Sequence, residues 1–363
     1  MHRGTNPLRA AASEDMDQPK RLCELGLSVG KLPTGPTNTI VDAPGVRVGH
    51  CSVRGPVQPA GKPIHTGLTA IVPGAGDLTA TPLPAAVDVF NGFGKSAGLM
   101  QLRQRGELES PVYLAGTLNV GRVWDAAVTV AMERRTDLVT VNPVVMECND
   151  CGINDAIGRH VNEAHVREAL TAATNEPPRL GSVGAGSGMR CLGRKGGIGS
   201  ASRVAKTKAL GEVALGVLTL NNFGGRLTWR GREVPRPDAP GSEASGAGSV
   251  IVVVAVAAPL APILLGRIAR RTWAGIARVG AAFNDASGDV ALAFTLPGAD
   301  GHCPDALRWR LPHEDIDALF TAAADATEES VWDCLLAAGD HVAPDGTRIA
   351  GLTADELLSV AGG

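Results

Sequence analysis

The bond between Gly248 and Ser249 joins two stretches of opposite character. Before it, residues 231–248 are rich in Pro, Gly and Ser with almost no apolar content, the composition of a mobile linker. After it, Val250, Ile251, Val252, Val253 and Val254 form a β-branched run that predicts a buried strand. A serine held at the start of a rigid strand can attack the carbonyl before it, and a glycine there reaches unusual φ and ψ at little steric cost. The N-to-O acyl shift gives an ester, and water then releases the upstream segment. The freed α-amino group has an ordinary pKa of about 8. It can therefore act as the base for its own hydroxyl near neutral pH. Taken alone, the same junction also reads as a plain boundary between loop and strand.

Three further groups of residues bear on that chemistry. Asn222 lies in 219–225 (Thr-Leu-Asn-Asn-Phe-Gly-Gly), at the end of a predicted strand and before paired glycines. Amide N–H groups serve as oxyanion donors, although Asn-Phe-Gly is equally a turn. Ser287 and Asp289 are spaced by two at the start of a predicted strand, so both point to one face. There a hydroxyl and a carboxylate can hold an amino group and position its proton; a merely polar strand start is the plainer alternative. Residues 183–189 and 195–202 are glycine loops.

Together these residues resemble the L-aminopeptidase/D-esterase family, the DmpA-like enzymes that include the β-peptidyl aminopeptidases. The resemblance runs from about Pro33 to the end of the chain. It rests on 42–50 (Asp-Ala-Pro-Gly-Val-Arg-Val-Gly-His), 91–98 (Asn-Gly-Phe-Gly-Lys-Ser-Ala-Gly), 184–189, 195–199, 222–224, Gly248-Ser249 with its valine strand, and 287–289. It implies a four-layer α-β-β-α sandwich of the α/β class, similar to the N-terminal-nucleophile hydrolases but with different strand connectivity. It implies a precursor that cleaves itself into 1–248 and 249–363, two chains that stay together. The implied activity is release of small N-terminal residues from peptides, amides or esters that carry a free amino group, with no metal or cofactor. Carried over by motif, Ser249 is the nucleophile, Asn222 helps form the oxyanion hole, and Ser287 and Asp289 support the free amine and bind the substrate ammonium. Some positions depart from the pattern. Val256 and Ala257 stand where relatives commonly have Thr-Asp, 144–151 reads Val-Val-Met-Glu-Cys-Asn-Asp-Cys, and the single tyrosine is Tyr113. These departures bear on the substrate pocket and leave the cleavage machinery intact. An acyltransferase of the ornithine acetyltransferase type, which usually has a threonine nucleophile, and a non-enzymatic scaffold are the alternatives.

Positioning such residues requires alternating strands and helices. Hydrophobic periodicity predicts strands over 45–50, 67–72, 111–115, 138–145, 213–221, 226–230, 249–257 and 289–296. It predicts helices over 95–105, 120–134, 155–174, 200–208, 260–278, 313–324, 327–338 and 354–361. Residues 1–35 read as a flexible arm, and 36–363 as one hydrolase domain.

Bulk composition narrows the function classes. Hydrophobic residues are 44% of 363, enough for a sizeable core. A net charge of −3 supplies no basic field, against a nucleic-acid partner. The 46 glycines are nearly double the usual share of about 7% and cluster beside the polar motifs. The apolar stretch 250–265 is interrupted by Pro259 and Pro262, and is shorter than the roughly 20 residues a membrane span takes. Seven cysteines and no apolar run in the first 20 residues suggest a reduced, cytoplasmic protein; a homo-oligomer of cleaved protomers is expected. Cys148 and Cys151 form a CxxC without a second ligand pair, and read as reduced structural thiols. Residues 92–97 fit a dinucleotide fingerprint, but no acidic residue follows at the required distance. A phosphate loop at 94–96 lacks its first glycine, since position 89 is Val. No Gly-x-Ser-x-Gly elbow supports a histidine triad.

Overall fold

Two stacked sheets and their covering helices account for nearly all the apolar residues of this computed structural model, which describes residues 21–74, 76–237, 248–296, 309–343 and 348–362. The strands are β1 (Arg47–Val57), β2 (Pro63–Val72), β3 (Leu83–Gly92), β4 (Val112–Gly116), β5 (Val144–Cys148), β6 (Gly197–Thr207), β7 (Gly211–Asn222), β8 (Gly248–Val256) and β9 (Ser287–Thr295). The helices are α1 (Leu99–Arg105), α2 (Val120–Arg134), α3 (Glu163–Thr171), α4 (Pro262–Arg278), α5 (His313–Ala338) and α6 (Ala354–Ala361). One sheet runs β1-β2-β4-β5; the other runs from the two-residue strand Glu107–Leu108 through β3-β9-β8-β7-β6.

Period-2 alternation builds the layers. In β8, Ile251, Val253 and Ala255 join Leu218 and Leu220 of β7, Leu114 of β4 and Met146 of β5 in a core between the sheets. Val250, Val252, Val254 and Val256 point the other way, into a core with Leu265 and Ile268 of α4 and Leu319, Ala323 and Trp332 of α5. Val123 and Ala127 of α2 and Val166 and Ala169 of α3 cover the opposite face of the four-stranded sheet against Leu68, Tyr113 and Val145. The order of layers is thus helix, sheet, sheet, helix, as expected. Parallel pairing occurs at β4–β5 and β8–β9, with α2 and α4 in the respective connections.

Several elements differ from the sequence expectation. Residues 200–208 were expected as a helix and form most of β6. Ala201 and Ala205 suit a helix by propensity, but on this strand they face the core under α5, where small side chains let that helix lie close. A Cβ on Gly199 would collide with Ser330 O of α5, and the Ser200 hydroxyl, which donates to Val217 O at 2.7 Å, accepts Ile40 N–H at 2.8 Å. β3 carries no clean alternation and was not expected. It lies next to the sheet edge, with Phe90 half exposed. The expected strand 138–145 is shifted to β5, and the expected helix 155–174 shortens to α3, whose start is set by the capping box of Asn162 and His165. Helices 313–324 and 327–338 are one 26-residue helix, because Ala324, Asp325 and Ala326 stay buried and in phase.

The expected arm also shortens. Residues 1–20 lie outside the described residues, but 21–35 pack on the body. Leu22 is fully buried, Arg21 Nε donates to Asp333 Oδ2 at 2.8 Å, and Arg203 Nη2 donates to Val29 O at 2.7 Å. Of the expected linker 231–248, residues 238–247 lie outside the described residues. Its start is fixed: Arg232–Glu233 pairs with Thr228–Trp229, and Val234 is buried. Its last residue, Gly248, already belongs to β8. Among the described residues no helix is long and apolar enough to cross a membrane.

Candidate active site

Ser249 is the second residue of β8, between β7 and β9. Antiparallel register sets Asn222 opposite Ser249, and parallel register sets Gly248 opposite Ser287 and Ser249 opposite Gly288. Three strand ends therefore gather all four expected residues. Ser249 is only 6% exposed, yet it lines a pocket of about 180 Å³ together with Asn222, Gly248, Glu147, Lys95 and Arg190.

The Ser249 hydroxyl donates to Gly248 O at 2.7 Å and accepts the Gly288 N–H at 3.2 Å. It lies against the Gly248 carbonyl. Gly288 is required by closeness: a Cβ there would stand 2.6 Å from Gly94 Cα and 3.2 Å from Ser249 Oγ. Asp289 is buried behind Ser249. Its Oδ1 accepts the Ser287 hydroxyl at 2.6 Å and Val250 N–H at 3.1 Å, and its Oδ2 accepts Asn91 Nδ2 at 2.8 Å. Burial pushes this carboxyl up from its ordinary value, while the hydrogen bonds from Ser287, Asn91 and Val250 oppose that rise. Asn222 is oriented by two bonds: its Oδ1 accepts Arg190 N–H at 2.9 Å, and its Nδ2 donates to Asn149 O at 3.0 Å. The second Nδ2 hydrogen is available for a developing oxyanion. Cys148 Sγ lies behind the strand, donating to Ser249 O at 3.4 Å, and burial pushes its thiol well above the ordinary value. That protonated, buried Cys148 and the exposed Cys151 behave as separate thiols.

Ser287 and Asp289 do not line the pocket; they line a much smaller recess on the far side of Ser249. The carboxylate in the pocket is Glu147, which the sequence reading did not single out. It is 2% exposed, its Oε1 accepts Lys95 N–H at 2.7 Å, and its Oε2 accepts the Thr117 hydroxyl. No cation pairs with it among the described residues. One signal was readable: Glu147 follows the apolar run Val144, Val145, Met146, a place where an acidic residue is expensive to bury. Asn91 and Gly288 were likewise missed as partners, since their contacts depend on β9 pairing with β3.

Comparison with known proteins identifies the family and the fold. Residues 38–349 match peptidase family S58. The β-peptidyl aminopeptidase BapA of Sphingosinicella microcystinivorans is 33% identical over 366 residues, covering 94% of this chain and 91% of that protein. Among solved structures, a β-aminopeptidase of a Burkholderia species superposes with a TM-score of 0.82 at 38% identity, covering 94% of this chain and 98% of that one. The L-aminopeptidase D-Ala-esterase/amidase of Ochrobactrum anthropi, described as a prototype of serine aminopeptidases with a variant of the Ntn hydrolase fold, gives 0.82 at 33% identity, with the same coverage.

Proposed function

The chain belongs to peptidase family S58 and is a hydrolase of the aminopeptidase kind; from that premise we propose that it cuts itself at Gly248–Ser249 and then uses Ser249 to release N-terminal residues from small peptides, amides or esters. The observation that carries this reading is the Ser249 hydroxyl held 2.7 Å from the carbonyl oxygen of Gly248. In the precursor, Ser249 Oγ attacks the Gly248 carbonyl carbon and its proton passes to the departing nitrogen. The C–N bond breaks, leaving an ester on Oγ and a free Ser249 amine. Water hydrolyses the ester, freeing Gly248 as a carboxylate.

In the cleaved enzyme, the Ser249 amine takes the Oγ proton as Oγ attacks the substrate carbonyl. Asn222 Nδ2 donates to the oxyanion. Ser287, fixed by its 2.6 Å bond to Asp289, holds the amine in place. The leaving amine takes up the proton, and water then resolves the acyl-enzyme. Glu147 receives the substrate ammonium, whose charge offsets that of a carboxylate buried without a cation. That role moves substrate recognition from Asp289 to Glu147.

The two fragments remain one body after the cut, since β8 and β9 of the small fragment lie between β3 and β7 of the large one. We expect wild-type protein to run as two bands, the smaller beginning Ser-Val-Ile-Val. Ser249→Ala should run as one band of 37.2 kDa with no hydrolase activity. Uncut wild-type protein that still hydrolyses aminoacyl p-nitroanilides would overturn the reading. The same panel of anilides, with L-α, D-α and β-aminoacyl groups, identifies the residue preferred on the acyl side.

A further inference from the structure

Charged residues lining the pocket at Ser249 are Glu147, Lys95 and Arg190. With Glu147 assigned to the substrate ammonium, two cations remain without a function. Arg190 is half-buried, and its guanidinium makes no ion pair or hydrogen bond among the described residues. Its backbone, however, is held firmly beside the acyl centre by the 2.9 Å bond from its N–H to Asn222 Oδ1.

The hairpin that carries Arg190 is rigid. Arg190–Cys191 pairs with Arg194–Lys195 through Leu192 and Gly193, both at positive φ (54° and 79°). Beneath it, Lys195 is fully buried and donates to Gly186 O, Met189 O and Gly196 O at 2.7–3.1 Å. Arg194 is tied to Gly351 O, Pro235 O and Glu356. Gly152 leaves room for the Arg190 stem, since a Cβ there would come 3.3 Å from Arg190 Cδ. Lys95 Nζ lies 3.5 Å from the centre of the Phe93 ring and donates to Phe93 O, which leaves donors on its ammonium for a ligand.

A planar guanidinium without a partner, in a pocket that also holds the nucleophile, is suited to a carboxylate. We infer that Arg190, assisted by Lys95, binds the terminal carboxylate of a short leaving group, so that dipeptides with a free C-terminus are the preferred substrates of this site. An extended residue spans about 3.4 Å, so a one-residue leaving group keeps its terminal carboxylate within the pocket of about 180 Å³ that contains Ser249 and Arg190. This inference rests on the aminopeptidase reading above. It adds a distinction that reading does not make, between free dipeptides and their amides or longer peptides.

The test compares three substrates that share the acyl residue chosen by the anilide panel: X-Ala, X-Ala-NH2 and X-Asp-NH2. Wild-type protein should turn over X-Ala with a kcat/KM roughly ten- to a hundredfold above X-Ala-NH2, the range of a charge-assisted hydrogen bond. In Arg190→Gln that ratio should fall towards one. Both substrates use the same active sites, so a folding or processing defect cancels in the ratio. A ratio of one in the wild type, or an unchanged ratio in Arg190→Gln, overturns the inference while leaving the aminopeptidase reading in place. X-Asp-NH2 turned over as well as X-Ala would give the site to a side-chain carboxylate, and equally overturns it. Failure to hydrolyse any of these and the anilides would overturn the aminopeptidase reading itself, and this inference with it.

Discussion

The Asp289 carboxylate already accepts three protein donors, two on Oδ1 and one on Oδ2. It has little capacity left for a substrate cation. Glu147 is different: its two bonds come from neutral donors, and it lines the pocket. On the proposed reading, this division separates a carboxylate that positions Ser287 from one that meets the substrate. Replacing Glu147 by Gln should therefore weaken kcat/KM for aminoacyl anilides by roughly 10- to 150-fold, the equivalent of about 1.5–3 kcal/mol for a bond to a charged group. The loss should lie mainly in KM. Self-cleavage involves no substrate ammonium, so a gel of the same variant should still show two bands. Loss confined to kcat with KM unchanged would remove Glu147 from ammonium binding.

At the level of elements, the site depends on β9 and on the Gly94 turn touching it. Gly288 offers its N–H to Ser249 Oγ, and the missing side chain lets Gly94 approach. In Gly288→Ala the added Cβ would meet backbone 2.6 Å away, which cannot rotate aside. Overpacking of this kind costs about 1–3 kcal/mol. The displacement falls on the register pair Ser249–Gly288, so processing should slow well before global stability fails. Following the appearance of the small fragment after synthesis, alongside a thermal melt, measures both. Wild-type processing in this variant would show that the contact is not needed. The same scale explains the error over β6. The helix-favouring residues Ala201 and Ala205 are in a strand because their small size lets α5 lie against it, a demand made by another element.

Across the whole molecule, burial also sets the response to acid. Burial, with Arg179 adding to it, pushes His50 down to about 4. Burial with His341, Lys195 and Arg54 pushes His65 down to about 3. Both lie below the ordinary value of about 6.5, so the unfolded chain binds more protons than the folded one as pH falls below that value. Their contribution is present in full above about 6.5 and is lost as pH falls towards 4 and 3. At pH 5, which is 1.5 units below the unfolded value, one such histidine costs about 2 kcal/mol. His65→Phe should accordingly lose less stability than wild type between pH 7 and 5. Paired melts of the two proteins read this difference, since the other groups titrate in both. Parallel curves would mean that His65 is not held neutral.

The strand that starts at the Gly248–Ser249 junction was legible in the sequence because its signals are local. A linker composition gives way to a β-branched run at one bond, and spacing by two puts Ser287 and Asp289 on one strand face. The layered α/β class was legible for the same reason, through periodicity. Tertiary structure decided what local signals cannot carry. It sent Asp289 behind Ser249 and Glu147 into the pocket, because strand order, not sequence distance, brings β5 and β8 to one cavity. It gave Arg190 its place through a hairpin pinned by Lys195 and by a bond to Asn222, 32 residues away in the chain. It also fastened residues 21–35 to α5, since a polar segment reads as an arm until a buried partner such as Asp333 is supplied by the far end of the chain.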